Sequence, residues 1–172
     1  MPSSRILIAS NTLGSSAASV TFSGIPGTYT DLVLRYSARS DGASVDDYFS
    51  LTVNGVTSSV YSLTNLTSDG STVGSTRLSN NTSMRAYGCA GANSTSNTFA
   101  SGELYIPSYT ASQNKPLSNY GANETNATAV FMGAVANLYR QTTAVSSITF
   151  APLVGTNIVS GSSFFLYGIK NS

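Results

Sequence analysis

Asp31-Leu32-Val33-Leu34-Arg35-Tyr36-Ser37-Ala38-Arg39-Ser40 decides the fold class. Leu32, Leu34, Tyr36 and Ala38 fall on one side of an extended chain; Val33, Arg35, Ser37 and Arg39 fall on the other. Successive side chains of a strand point to opposite faces, so this stretch reads as an antiparallel β-strand with one face buried. Gly24-Ile25-Pro26-Gly27 turns the chain before it and Asp41-Gly42 breaks it afterwards.

The same reading extends in both directions. Upstream, Arg5 to Ser10 suits an edge or first strand, and Ala18 to Ser23 alternates polar and apolar residues. Downstream, Tyr48 to Val53 places Phe49, Leu51 and Val53 on one face, and Asn54-Gly55 then predicts a two-residue hairpin returning through Val56 to Leu63. Thr64 to Ser83 is either a long loop or two weak strands around Asp69-Gly70. Met84 to Gly88 reads as a short strand and Ala90 to Asn97 as a loop. Thr98 to Ile106 reads as a strand stopped by Pro107, and Ser108 to Asn126 as a loop. Gly133 tips Ala129 to Tyr139 toward a strand rather than a short helix. Ala144 to Pro152 alternates less cleanly, and Ser163 to Lys170 closes the chain as an apolar strand. About eight to ten strands with long polar connections suit a sandwich better than an up-and-down meander. The expectation is all-β: a single-domain antiparallel β-sandwich of jelly-roll type over residues 1–172, with residues 1–17 open to a peripheral N-terminal strand or arm.

Composition agrees. Only 9% of the 172 residues are charged, against about 25% in an average domain. About thirty Ser, twenty Thr and fourteen Asn stand in their place, residues that favour turns and strands over helices. The 10 Tyr and 7 Phe supply a core that chains disordered by composition lack. A net charge of +1, with Lys and Arg scattered, gives no electrostatic footprint for nucleic acid. The apolar run Ala129 to Ala136 is well short of the roughly 18 residues a membrane span needs. The apolar patch after Met1 is too short for a secretory signal, which points to synthesis in a cytoplasm.

Candidate chemistry is sparse. With 0 His, neither a Ser-His-Asp nor a Cys-His arrangement can be built. Cys89, flanked by Gly88 and Ala90, reads as a small buried apolar residue. Ser112-Gln113-Asn114-Lys115 has the S-x-x-K spacing, but Pro116 denies it the helix that chemistry requires. Asp41, Asp46 and Asp47 form the only acidic cluster; their spacing matches no calcium loop, and a solvated turn explains them. Asp46 and Asp47 point to opposite faces and make a poor glycosidase pair, while Glu103 and Glu124 stand alone. The Asn-x-Ser/Thr triplets at Asn65, Asn80, Asn81, Asn93, Asn123 and Asn126 come from composition. Tyr36, Tyr48, Tyr61, Tyr105 and Tyr167 sit on strands, where half-burial competes with a sugar-stacking platform. No residue is assigned to catalysis, to a cofactor or to a metal.

The closing segment carries one specific likeness. Ile148-Thr149-Phe150-Ala151-Pro152, Gly155-Thr156-Asn157 and Gly161-Ser162-Ser163-Phe164-Phe165-Leu166-Tyr167-Gly168-Ile169-Lys170 resemble the C-terminal end of small structural proteins of tailed-bacteriophage virions. Phe49-Ser50-Leu51-Thr52-Val53-Asn54-Gly55 before Tyr61, Ile106-Pro107-Ser108-Tyr109 before Lys115, and Ala144-Val145-Ser146-Ser147-Ile148 extend the likeness from about residue 30 to the end. The resemblance implies a β-sandwich particle component without catalytic residues: a capsid decoration (cement) protein, or a tail, baseplate or fibre appendage. A chain without a long N-terminal arm or coiled-coil shaft fits decoration better. Its partners would be the major capsid protein and copies of itself, a homotrimer among the options, with neither nucleic acid nor membrane involved. It would be made in the host cytoplasm and assembled onto the virion. Arg5, Arg35, Arg39, Arg77 and Arg85 are candidate interface donors. In the appendage alternative, Thr64 to Ser83 and Ser108 to Asn126 would be tips that touch host glycans. A hydrolase using Asp46 or Glu103 is a third, weaker reading.

Overall fold

The computed structural model of the protein describes residues 4–126 and 131–170. In chain order the strands are β1 (Ser4–Thr12), β2 (Val20–Phe22), β3 (Asp31–Ala38), β4 (Asp46–Val53), β5 (Tyr61–Ser68) and β6 (Val73–Asn81). They continue as β7 (Met84–Ala90), β8 (Ala100–Ile106), β9 (Lys115–Asn123), β10 (Phe131–Tyr139), β11 (Ile148–Pro152) and β12 (Ser163–Lys170). Among the described residues there is no helix. An eight-stranded antiparallel sheet runs in the order β1-β12-β3-β8-β9-β10-β5-β6, and a four-stranded one in the order β2-β11-β4-β7.

The inner faces of the two sheets share one core. Leu32, Leu34, Tyr36 and Ala38 of β3 are buried, as their alternation predicts, and so are Phe49, Leu51 and Val53 of β4. Val33 is buried as well, on the opposite face, where its cross-strand neighbours are Tyr167 and Tyr105. At the centre, Tyr36 and Phe164 from the larger sheet meet Phe49 and Phe150 from the smaller. Every pair of these four rings has centroids 5.4–5.8 Å apart. Such contacts add about 0.5–1.5 kcal/mol per pair beyond area burial.

A row of three glycines sets how closely the sheets approach. Gly102, Gly121 and Gly133 are cross-strand neighbours on β8, β9 and β10. A Cβ at Gly102 would lie 2.2 Å from the Tyr36 ring, one at Gly121 would lie 2.3 Å from the Tyr87 carbonyl, and one at Gly133 would lie 2.6 Å from the Tyr87 ring. The missing side chains at Gly121 and Gly133 let β7 lie directly against the larger sheet, while that at Gly102 leaves room for the Tyr36 ring of its own sheet. A second, smaller cluster of Leu63, Tyr87 and Val135, flanked by Tyr48 and Leu78, fills the space beside it.

Three expectations are corrected. The strands number twelve among the described residues, above the eight to ten expected. Asn54-Gly55 does turn the chain, with positive φ at both residues (53° and 67°), but it makes no hairpin. Both sides of β4 are already taken, by β11 and β7, so the chain crosses to the larger sheet and resumes there as β5. Thr64 to Ser83 forms the paired-strand alternative, with β5 and β6 joined around Asp69-Gly70. Ser108 to Asn126 is not a loop throughout: it contains β9, a strand paired on both sides. Its inward residues are Lys115, Leu117, Asn119, Gly121 and Asn123, so the apolar alternation that marks a strand is missing. Residues 1–17 contribute β1, bonded along β12 at the rim of the larger sheet.

Candidate interaction surface

Most of the polar residues singled out by sequence serve the scaffold. Ser112 is exposed while Lys115 is fully buried, its Nζ donating to the carbonyls of Ala111, Gln113 and Thr142. Burial lowers the Lys115 pKa, yet no helix aligns it with Ser112, so the S-x-x-K pattern is a structural cation on three carbonyls.

The acidic cluster divides into three separate roles. Asp41 accepts the N–H groups of Thr156 (2.7 Å) and Asn157 (2.8 Å), the Thr156 hydroxyl and the Asn157 amide. These donors, the Asn157 N–H foremost, hold its pKa down to about 2. Asp47 is buried and accepts from the N–H groups of Tyr48, Val154 and Gly155 and from the Ser40 hydroxyl. Asp46 lies on the other face, where burial raises its pKa and the Tyr48 hydroxyl partly offsets that. Among the described residues, no three His, Cys, Asp or Glu side chains group as metal ligands.

The remaining candidates also find structural roles. Glu103 pairs with Arg35 at 2.6 Å and with Arg5 at 3.7 Å. Arg39 donates to the carbonyls of Ala92, Ser94, Thr95 and Thr98, pinning the loop after β7. Cys89 is buried and burial pushes its thiol pKa up, as expected of an inert core cysteine. Tyr36 and Tyr61 are buried; Tyr48, Tyr105 and Tyr167 are half-buried. Asn65 and Asn123 are buried, where the folded protein leaves no room for a glycan.

The inward asparagines complete the edge of the smaller sheet. β7 has a strand partner only in β4. On its other side, Asn119 Oδ1 accepts the Tyr87 N–H at 2.6 Å, and the Tyr36 hydroxyl donates to the Tyr87 carbonyl. Asn137 accepts the Arg85 N–H at 3.2 Å and donates to its carbonyl at 3.0 Å. Side chains thus replace a missing strand, and a buried edge is left satisfied.

What remains outward on β5, β6, β9 and β10 is uncharged and small, apart from Arg77 and a few protruding apolar groups. Leu66, Val73, Tyr120 and Met132 are 55%, 68%, 60% and 68% exposed. They surround a shallow trough of about 320 Å³ whose floor is Ala122, Ala134 and the backbone of Gly121 and Gly133. Arg77, on the outer face of β6, is exposed and makes no ion pair among the described residues. Sequence reading missed this surface, since its four large residues come from four strands and each alone is an ordinary exposed apolar residue. Cross-strand register is the signal that unites them: Tyr120 faces Ala134, and Ala134 faces Leu66. The fold and the surface define a two-sheet all-β scaffold carrying an exposed, uncharged apolar trough.

No protein-family model matches the chain, and neither a curated protein nor a solved structure matches it.

Proposed function

We propose that the protein is a non-enzymatic structural subunit of a bacteriophage virion, a capsid decoration (cement) protein that packs on the major capsid protein lattice and stabilises it. The observation that carries this reading is the neutral apolar face of Leu66, Val73, Tyr120 and Met132, the kind of contiguous exposed patch that marks protein contact. The structural employment of Asp41, Asp47, Lys115 and Arg39 supports the non-enzymatic part. The virion assignment rests on the resemblance of the closing segment.

The finer topology belongs to the same proposal. β1 pairs β12, β2 pairs β11, β3 pairs β8 and β4 pairs β7. That nesting is one long antiparallel ribbon folded over itself, the jelly-roll arrangement, with β5-β6 and β9-β10 as two inserted hairpins that widen one sheet.

A tail or baseplate appendage that touches host glycans is the second reading. The exposed ring of Tyr120 beside a floor of small residues favours it. Incubating the purified chain with shells lacking it, followed by sedimentation, separates the two. Decoration predicts saturable binding at many sites per shell, lost in Leu66→Asp and Met132→Asp. Absence of shell binding, with glycan binding that depends on Tyr120, would favour the appendage. Hydrolytic turnover abolished by Glu103→Ala would end both.

A further inference from the structure

The two sheets have four free edges, and three are protected. β1 carries a bulge between Leu7 and Ala9. β2 has only three residues. β7 is capped by Asn119, Asn137 and Tyr36. The fourth, β6, is nine residues long and exposed at every position except Leu78 and Asn81. Its only register shift lies toward its C-terminal end, leaving Val73 to Leu78 paired one-to-one with β5. It contains no Pro, and Arg77 is its single charged residue. Apart from a 3.4 Å contact from the Thr67 hydroxyl to the Gly74 carbonyl, no side chain among the described residues hydrogen-bonds its backbone.

We propose that the β6 edge takes an extended strand from a different protein chain, which adds to the larger sheet as its ninth strand. Main-chain hydrogen bonds would supply affinity, and alternate side chains would supply choice. Val73, Ser75 and Arg77 share the outer face with the trough. The incoming strand therefore carries an apolar residue beside Val73 and, four positions away on the same face, a carboxylate beside Arg77. Arg77 is the only charge on β6 and also argues against a second copy as the occupant. It sits at the midpoint of Val73–Asn81, so a symmetric antiparallel pairing along the full length of the strand would set it opposite itself. This inference rests on the assembly reading for the kind of partner, a protein.

The probe is a labelled nine-residue peptide alternating threonine with glutamate, serine and valine in turn, and its twin with lysine for glutamate. Binding to the intact protein is read by fluorescence anisotropy, and its place by amide hydrogen exchange. The glutamate peptide should bind more tightly than the lysine peptide by about fivefold or more, and slow exchange within Val73–Leu78. Arg77→Glu, on an exposed side chain, should reverse the preference with circular dichroism unchanged. No binding up to millimolar peptide, or equal binding of both peptides to both proteins, would overturn the proposal. So would a concentration-dependent dimer that protects Val73–Leu78 without peptide, because the occupant would then be a second copy. No virus particle enters these measurements, so their failure is separate from any failure of the virion reading.

Discussion

The Asn119 amide donates to the Tyr36 hydroxyl at 2.9 Å, and that hydroxyl donates to the Tyr87 carbonyl across the gap between the sheets. Asn119 also accepts the Tyr87 N–H, so one carboxamide and one phenol close both backbone groups of a single edge residue. Desolvation drives the Tyr36 pKa far up, which keeps the phenol a neutral donor across the whole working pH range.

Asn119→Leu keeps the volume and removes the partners. It strands the Tyr87 N–H in a buried site, at a cost of about 1–3 kcal/mol. Tyr36→Phe loses one donor and should cost about 1–2 kcal/mol. Urea unfolding monitored by tyrosine fluorescence measures both, and a double variant should lose less than the sum because the two share a network.

Gly121→Ala should be the most damaging single methyl addition in the glycine row. Its Cβ would meet the Tyr87 carbonyl and the Gly88 nitrogen, backbone atoms that cannot rotate away. A loss of about 3 kcal/mol or failure to fold is expected. Gly14→Ala, in open space, should lie within about 0.5 kcal/mol of the native protein.

Asp41 links stability to acid. Its pKa is depressed in the folded protein, so its contribution is present above the usual carboxylate range and disappears as pH falls through about 2. Asp41→Asn should lower the melting temperature at pH 7, and the gap to the native protein should close between about pH 4 and pH 2.

Asp46 has the opposite sign. Burial raises its pKa, so holding it ionised costs stability at neutral pH and less as pH falls. One of its oxygens, Oδ2, is buried without a hydrogen bond. Asp46→Asn should therefore melt higher than the native protein at pH 7, and the advantage should shrink as the pH falls through the carboxylate range.

How legible this fold is in its sequence depends on the side chains that face the core. β3 and β4 announce themselves through the period-two spacing of Leu32, Leu34 and Tyr36 and of Phe49, Leu51 and Val53, and β12 through its apolar run from Phe164 to Ile169. β9 stays hidden because its inward Asn119 and Asn123 answer backbone groups distant in the chain, those of Tyr87 and Val45, a need that exists only once the chain has folded. Asn54-Gly55 is legible as a turn, but the destination of the chain beyond it is not, since strand pairing across β4 is settled by β7 and β11 from far along the chain. The apolar trough is illegible for a similar reason. Leu66, Tyr120 and Met132 become neighbours only through register.

Whether this chain is a coat subunit is decided by quantitative mass spectrometry of purified virions made from the genome that encodes it, with cryo-electron microscopy to place the density. The chain should be present in many copies per particle, spread over the shell and seated through the face of Leu66, Tyr120 and Met132. Virions that lack the chain altogether, while the infected cell contains it, would contradict the account.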